Sequence, residues 1–151
     1  MRKANMFIDW LNIKMNGGRN IDFGKLIKAI ENQGYDIQRI NLYAPPADSG
    51  QISFYDVIRR NGIKIVLIPG KGDSYNCDAL MAVDMVTQSK EVDTVFLLSG
   101  DADFIPAVEH LQIIGKRVEL YHGDRPSNQL RNIVDKWYHI AAADLIMDNE
   151  I

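Results

Sequence analysis

Several aspartates in this chain follow short apolar segments, where α/β proteins often place functional groups. Asp9 follows the first apolar segment. Asp101 and Asp103 follow the strongest one, and Asp78 opens a helix-like segment. Carboxylate oxygens are the ligands that Mg²⁺ and Mn²⁺ prefer, and such ions neutralise phosphate charge and activate water. Together, the four aspartates predict a divalent-metal site suited to phosphodiester chemistry.

Each aspartate also has an ordinary structural explanation. An aspartate after a strand often forms a turn or caps a helix, and this alternative stands for Asp78 and Asp103 taken singly. Carboxylates that converge at one edge repel each other, and burying them is costly unless a cation neutralises them. We expect no Cys or His companion in the cluster, so the expected ion is Mg²⁺ or Mn²⁺ and not zinc.

Asp84 lies in the same helix-like segment as Asp78, but the helical period turns it away from Asp78. It stands among apolar residues, where an unpaired carboxylate would be costly. Two interpretations stay open. Asp84 supports the metal site indirectly, or it is a buried acid with a structural hydrogen bond.

Strand-like and helix-like segments alternate along the chain, as is typical of an α/β fold with a mostly parallel sheet. The pattern predicts strands at about 4–8, 37–43, 63–68, 94–98 and 117–121. It predicts helices at about 23–33, 51–61, 78–89, 104–114 and 129–138. Sites in such sheets form at the carboxyl ends of the strands, so the aspartates are expected at one edge.

Three expectations concern packing. The helix at about 78–89 is apolar on most sides, which predicts that it is well buried. The apolar run at 94–98 is typical of a central strand buried on both faces. In the last helix, Ser127 is the expected cap, and Leu130 and Trp137 are expected on one apolar face.

The composition fits a globular protein that has one cysteine. The chain has 151 residues, 46% of them hydrophobic, and a formal net charge of −3, which argues against binding nucleic acid by bulk charge alone. Cys77 is alone, so an intrachain disulfide and a CxxC metal site are excluded, and a cytoplasmic location is expected. No apolar run is long enough to suggest a membrane span.

The aspartates lie in motifs that resemble a known family. The segment FIDWLN at 7–12 resembles the opening motif of the NYN domain family, in the LabA-like branch of the PIN-like nucleases. The segments CDALMAVD at 77–84 and LSGDADF at 98–104 resemble its middle motif and its most recognisable motif. A weaker C-terminal pattern matches Ser127, Leu130 and Asp135.

This resemblance implies a PIN-like, Rossmann-like fold: a three-layer α/β/α arrangement around a central, mostly parallel sheet, as a single domain over residues 1–151. It implies Mg²⁺- or Mn²⁺-dependent cleavage of RNA. The acidic positions of the family, both catalytic and metal-binding, match Asp9, Asp78, Asp101 and Asp103. Asn12 and Ser99 match polar positions beside the first and third acids.

The expected reaction is hydrolysis by water, with loss of the 3′-oxygen and 5′-phosphate products. None of the three histidines lies in the acidic motifs, so a histidine-driven reaction is not expected. His122, at the end of the fifth strand, is the best candidate outside those motifs.

Basic residues in loops near the same edge are candidates for gripping RNA: Lys14, Arg19, Lys71 and Arg125. Family members often carry a basic residue shortly before the middle aspartate. Here Lys71 lies further upstream, and it is either a phosphate contact or a solvated lysine. Trp10 could stack on a base, although a tryptophan at a strand end more often belongs to the core.

Two other enzyme classes and a non-catalytic module also use acidic residues or folds of this kind. A Toprim-like domain would carry Glu where Asp9 stands, and a phosphatase of the haloacid dehalogenase type would need a second aspartate two residues after Asp9. The alternative is a non-catalytic regulatory module that binds RNA or a protein on the same fold. We expect no membrane partner, and a homodimer is a further expectation.

Overall fold

In the computed structural model, strands and helices alternate along the chain, and residues 1–46, 51–68 and 77–147 are described. The strands are β1 (Arg2–Asp9), β2 (Tyr35–Ala44), β3 (Lys64–Leu67), β4 (Thr94–Leu98), β5 (Arg117–His122) and β6 (Lys136–His139). The helices are α1 (Trp10–Ile13), α2 (Phe23–Asn32), α3 (Ile52–Arg60), α4 (Asp78–Thr87), α5 (Ile105–Ile113) and α6 (Asn128–Ile133). A wide turn, Lys14–Gly18, extends α1, and a 3₁₀ turn, Ala102–Phe104, precedes α5.

The strands form one six-stranded sheet in the order β3-β2-β1-β4-β5-β6, and all pairs are parallel. The chain builds outward from β1 through β2 to β3, and then returns to the other side of β1 to add β4. The order therefore reverses between β1 and β4. Their registers place Ile8 opposite Leu98, so both strands end at the same level. Crevices at such reversals are where α/β sheets bind ligands.

Helices cover both faces of the sheet, because successive strand side chains point to opposite faces. Met6 and Ile8 pack with α1, α2 and α3, whereas Phe7 packs with α4, α5 and α6. Both faces of β4 are buried, as its apolar sequence predicts. The three-layer α/β/α fold is thus confirmed, with a sheet that is parallel throughout. None of the described helices is long and apolar enough to cross a membrane.

The expected burial of the fourth helix was wrong. Only Met81 and Met85 of α4 are fully buried, while Leu80 and Val83 are exposed, Val83 at 57%. A helix that lies on one face of a sheet buries a single stripe at 3.6-residue spacing. The apolar residues outside that stripe therefore stay at the surface.

The last expected helix was too long. α6 begins after Ser127, whose hydroxyl accepts a hydrogen bond from Leu130 N–H at 3.2 Å, as expected for its cap. It ends at Ile133, and Trp137 lies in an unexpected sixth strand. Asp135 diverts the chain, because its carboxylate accepts a hydrogen bond from Val118 N–H at 2.8 Å and its own N–H donates to Val118 O at 2.9 Å.

A buried carboxylate on β5 connects side chains of β2, β5 and β6 and generates a stability prediction. Glu119 accepts hydrogen bonds from Arg117 Nε at 2.8 Å and from the hydroxyls of Tyr35 and Tyr138 at 3.1 and 3.4 Å. Glu119→Ala would leave these donors unpaired. We expect it to reduce the free energy of unfolding by about 3 kcal/mol. Urea unfolding beside the exposed-site control Glu109→Ala measures this; equal stabilities of the two variants would contradict the structural role.

Candidate metal centre

Asp9 lies where β1 ends and α1 begins, and it is almost fully buried. Its Oδ1 accepts a hydrogen bond from Asn12 N–H at 3.4 Å, which caps the short helix. The side chain of Asn12 also crosses to the neighbouring loop, since its Oδ1 accepts a hydrogen bond from Gly100 N–H at 2.8 Å. Asn12 therefore ties the end of β1 to the loop after β4.

Ser99 makes the second connection between these strands. Its hydroxyl donates to Asp9 Oδ2 at 3.0 Å and accepts a hydrogen bond from Asp101 N–H at 3.1 Å. Asp101 Oδ1 in turn accepts a hydrogen bond from Asp103 N–H at 2.8 Å, which opens the 3₁₀ turn. Both polar residues predicted beside the acids thus hold the two aspartate-bearing segments in place.

The predicted acids lie in two overlapping groups. Asp78, Asp101 and Asp103 each offer a carboxylate oxygen, and these atoms lie within 4.8 Å of one another. Asp9, Cys77 and Asp78 form the second group at the same spacing. Asp78, at the start of α4, belongs to both groups. All four predicted acids line one open cleft of about 430 Å³.

The electrostatics of the cleft favour a bound cation. Burial, together with the negative charges of Asp101 and Asp9, raises the pKa of Asp78 to about 8. Burial also raises the pKa of Asp9, against the lowering effect of its hydrogen bond from Ser99. Crowded carboxylates with raised pKa values gain from a nearby positive charge. This donor set, mostly oxygen, fits a hard divalent cation.

Cys77 was missed by the sequence argument, which expected no Cys companion in the cluster. Its buried Sγ lies 3.6 Å from Asp9 Oδ1 and 3.9 Å from Asp78 Oδ1. Its position next to Asp78 in the sequence was a signal that could have placed it there. Leu11, Met15 and Asn16 also line the cleft; Leu11 lies in α1 and the other two in the wide turn, and the sequence predicted neither element.

Asp84 lies away from these groups. Its Oδ2 accepts a hydrogen bond from the hydroxyl of Tyr43 at 2.7 Å, and Tyr43 also accepts one from Asn41 Nδ2 at 3.2 Å. Neither group of metal-type ligands found among the described residues includes Asp84. Asp84 therefore matches the second interpretation given above, an acid with a structural hydrogen bond.

The candidate RNA contacts are dispersed. Lys14 and Arg19 lie in and after the wide turn, and Arg125 donates to Asn16 Oδ1 at 3.5 Å from the loop after β5. Lys71 lies outside the described residues. Among the described residues that line the cleft there is no lysine or arginine. Trp10 is 3% exposed and stacks on Phe54 with ring centroids 4.6 Å apart, so it belongs to the core.

The sequence matches a known domain family over most of its length. The profile of the NYN domain matches residues 3–141, which include all four acids and both connecting polar residues. The chain belongs to the NYN domain family. NYN domains are generally nucleases, and the NYN nucleases are generally metal-dependent.

Two further comparisons concern sequence and fold. A search of curated protein sequences found no match to this NYN domain. A protein of unknown function from Vibrio parahaemolyticus has a similar crystal structure, with a TM-score of 0.83 and 24% sequence identity. The match covers 97% of this chain and 96% of that one. At that identity the likeness shows a shared fold.

The raised pKa of Asp78 predicts how the metal-free NYN domain responds to pH. The folded chain keeps the Asp78 proton up to a pH of about 8, whereas an unperturbed aspartate loses it near 3.8. Because the folded state binds more protons in this window, stability should fall as pH rises through it. In EDTA, Asp78→Asn should flatten that dependence and raise the melting temperature at pH 8.

Thermal melts across the pH range check this, with the exposed-site variant Asp36→Asn as the control. A lower melting temperature for Asp78→Asn than for wild type at pH 8 in EDTA would show that Asp78 is a structural acid.

Proposed function

We propose that this NYN domain is a metal-dependent ribonuclease that hydrolyses RNA phosphodiester bonds and leaves 5′-phosphate ends. The observation that carries the proposal is the convergence of Asp78, Asp101 and Asp103 within 4.8 Å, beside buried Asp9, at the reversal of strand order. The motif pattern further supports the LabA-like branch and a single domain over residues 1–151, and the lone Cys77 supports a cytoplasmic location. The homodimer stays a prediction.

Asp78, Asp101 and Asp103, with Asp9 behind them, would hold Mg²⁺ or Mn²⁺. Their carboxylate oxygens are hard ligands suited to either ion. When bound, the ion supplies Lewis acidity and positive charge at the scissile phosphate. Cys77 adds a thiol to this set of ligands. Mn²⁺ tolerates a softer ligand than Mg²⁺ does, so the affinities of the protein for the two ions should be compared directly.

The chain's own residues position this centre. Ser99 orients Asp9 and the Asp101 backbone through a single hydroxyl. Asn12 fixes the distance between the two loops that carry these acids. Arrangements of this kind lower the cost of holding like charges together, because the hydrogen bonds are formed before substrate arrives.

The RNA itself would lie over the cleft, with its backbone charge balanced by basic residues at the rim. Lys14 and Arg19 flank the wide turn, and Arg125 lies beyond Asn16. Lys71 is proposed for the same role from the sequence alone. Phosphate contacts of this kind fix the register of a nucleic acid without reading its bases.

The first test of the proposal is metal-dependent cleavage. We expect the purified protein to cut single-stranded RNA in Mn²⁺ or Mg²⁺ and to stop in EDTA. Asp101→Asn should reduce the rate by at least about 100-fold, because one ligand charge is lost while its capping oxygen remains. End analysis should find 5′-phosphate and 3′-hydroxyl groups.

Three results would contradict this. Cleavage that persists in EDTA would exclude the metal. Ends with 2′,3′-cyclic phosphate would indicate attack by the substrate's own 2′-hydroxyl. RNA binding by a folded, metal-loaded protein without cleavage would favour the non-catalytic binding module.

A second test addresses the positioning hydroxyl. Ser99→Ala removes the hydrogen bonds to Asp9 and to Asp101 N–H, so we expect Mn²⁺ affinity to fall by about tenfold. The matched control is Ser89→Ala, since Ser89 is also fully buried but contacts Asn5 instead. Calorimetric Mn²⁺ titration distinguishes the two variants. Equal Mn²⁺ affinities would show that Ser99 does not organise the centre.

A further inference from the structure

A second pocket opens at the same sheet edge, after β5 and β6. It has a volume of about 440 Å³ and is not used by the acidic centre. Its lining includes His122, Asp124, Arg125, Arg131, Trp137 and His139. The acidic cleft, by contrast, has four aspartates and no cation among its described lining residues.

His122 leaves hydrogen-bonding capacity in the wall of this pocket. The residue is 3% exposed, and its Nδ1 lies 2.8 Å from Gly123 O. A carbonyl oxygen only accepts, so the proton is on Nδ1 and Nε2 is an acceptor. Burial lowers the pKa of His122, which keeps the ring neutral. Nε2 is buried and has no hydrogen-bond partner among the described residues.

Arg131 leaves a complementary donor. Its Nε is also buried, and no described part of the chain offers it a hydrogen-bond partner. Buried polar atoms are nearly always paired, because an unpaired one costs free energy. Two residues that line the pocket therefore carry, on buried atoms, an unsatisfied acceptor (His122) and an unsatisfied donor (Arg131). The hydrogen-bonding edge of a nucleobase offers both a donor and an acceptor.

Aromatic groups surround these two atoms. Trp137 is 43% exposed, although its large apolar side chain would gain from burial. The Arg131 guanidinium lies 3.7 Å from the centroid of the Trp137 ring. The His122 and His139 rings stack at 5.4 Å with 15° between their planes. Exposed aromatic rings beside arginine are the usual platform for bases of single-stranded nucleic acid.

The charge of the pocket suits a phosphate. Asp124 is already engaged, because its Oδ1 lies 3.0 Å from His139 Nε2. Arg125 and Arg131 have no carboxylate within ion-pair distance among the described residues. The two guanidinium groups are therefore available to an anionic ligand.

The pocket and the acidic cleft share a wall. Asn16 lines the cleft, and its carbonyl oxygen accepts a hydrogen bond from Asp124 N–H at 2.6 Å. Gly123 lies so close to Asn16 O that a Cβ at this glycine would collide with it. A strand of RNA over the cleft would reach the pocket by crossing Asn16.

We propose that this pocket binds one nucleotide of single-stranded RNA next to the scissile phosphate. The base stacks at Trp137 and its edge meets His122 and Arg131, while Arg125 and Arg131 balance the backbone charge. The choice of RNA as ligand rests on the proposed function. The pocket itself requires no metal, so its binding can be measured apart from cleavage.

Intrinsic fluorescence gives a direct readout, because the chain has two tryptophans and Trp10 is buried in the core. A single-stranded RNA hexanucleotide, titrated in EDTA, should quench the emission of Trp137. Trp137→Phe should remove that quenching. With 5′-labelled RNA and anisotropy as the readout, Trp137→Leu should weaken binding by about tenfold.

Arg131→Gln separates the charge from the stacking. It should weaken binding and reduce the slope of log affinity against log salt by about one, whereas Trp137→Leu should leave that slope unchanged. Arg59→Gln is the matched control, since Arg59 is an exposed arginine of α3 paired with Asp56. Its affinity and slope should equal those of wild type. Circular dichroism melts confirm that each variant is folded.

The outcomes are distinct. Quenching at Trp137 without metal-dependent cleavage supports the pocket and overturns the proposed nuclease. Cleavage with unchanged RNA affinity in both pocket variants overturns the pocket and leaves the nuclease standing. Inorganic phosphate that competes as well as a nucleoside monophosphate would show an anion site only, and would overturn the nucleotide assignment.

Discussion

Repulsion between carboxylates at the reversal of strand order is the constraint on which the rest of this structure depends. Asp9 ends β1 and Asp101 follows β4, and these strands pair in parallel and end at the same level, so both acids line one cleft. The raised pKa of Asp78 records the cost of its burial first, and then of the neighbouring acids. A fold under selection for stability alone would place such charges apart. The two buried faces of β4 supply the apolar packing that offsets this cost.

The connections that hold the acids are short and polar. One serine hydroxyl and one asparagine side chain bridge the loops after β1 and β4. Each bridge satisfies a backbone N–H of the β4 loop as well, so the same hydrogen bonds fold the loop and orient the acids. Chemical function and local folding are therefore not separable at Ser99. A substitution there changes both, which is why a matched buried serine is needed as its control.

The sequence predicted the structure correctly where the spacing of apolar residues and the local motifs agree. The bounds of β4 and the cap at Ser127 follow from local patterns, because a buried strand and a helix cap are each determined by a few neighbours. The strand at Lys136–His139 could not be predicted, since it depends on pairing with β5 and on the Asp135 contact to Val118. Cys77 could have been placed near the acids from its position beside Asp78, but its contact with Asp9 is a tertiary contact over 68 residues of sequence. Local pattern identified the acids, and only the assembled sheet showed their neighbours.

The hydrogen bond between Ser99 and Asp9 joins residues 90 positions apart. Because of this separation, the two residues cannot meet until most of the chain has been synthesised. The chain leaves the ribosome from its N-terminus, so β1, β2 and β3 emerge before the segment that carries Ser99, Asp101 and Asp103. Until that segment inserts beside β1, Asp9 lacks its orienting hydroxyl and the acidic cleft lacks Asp101 and Asp103. The four acids can therefore come together only after the segment that follows β4 has been made.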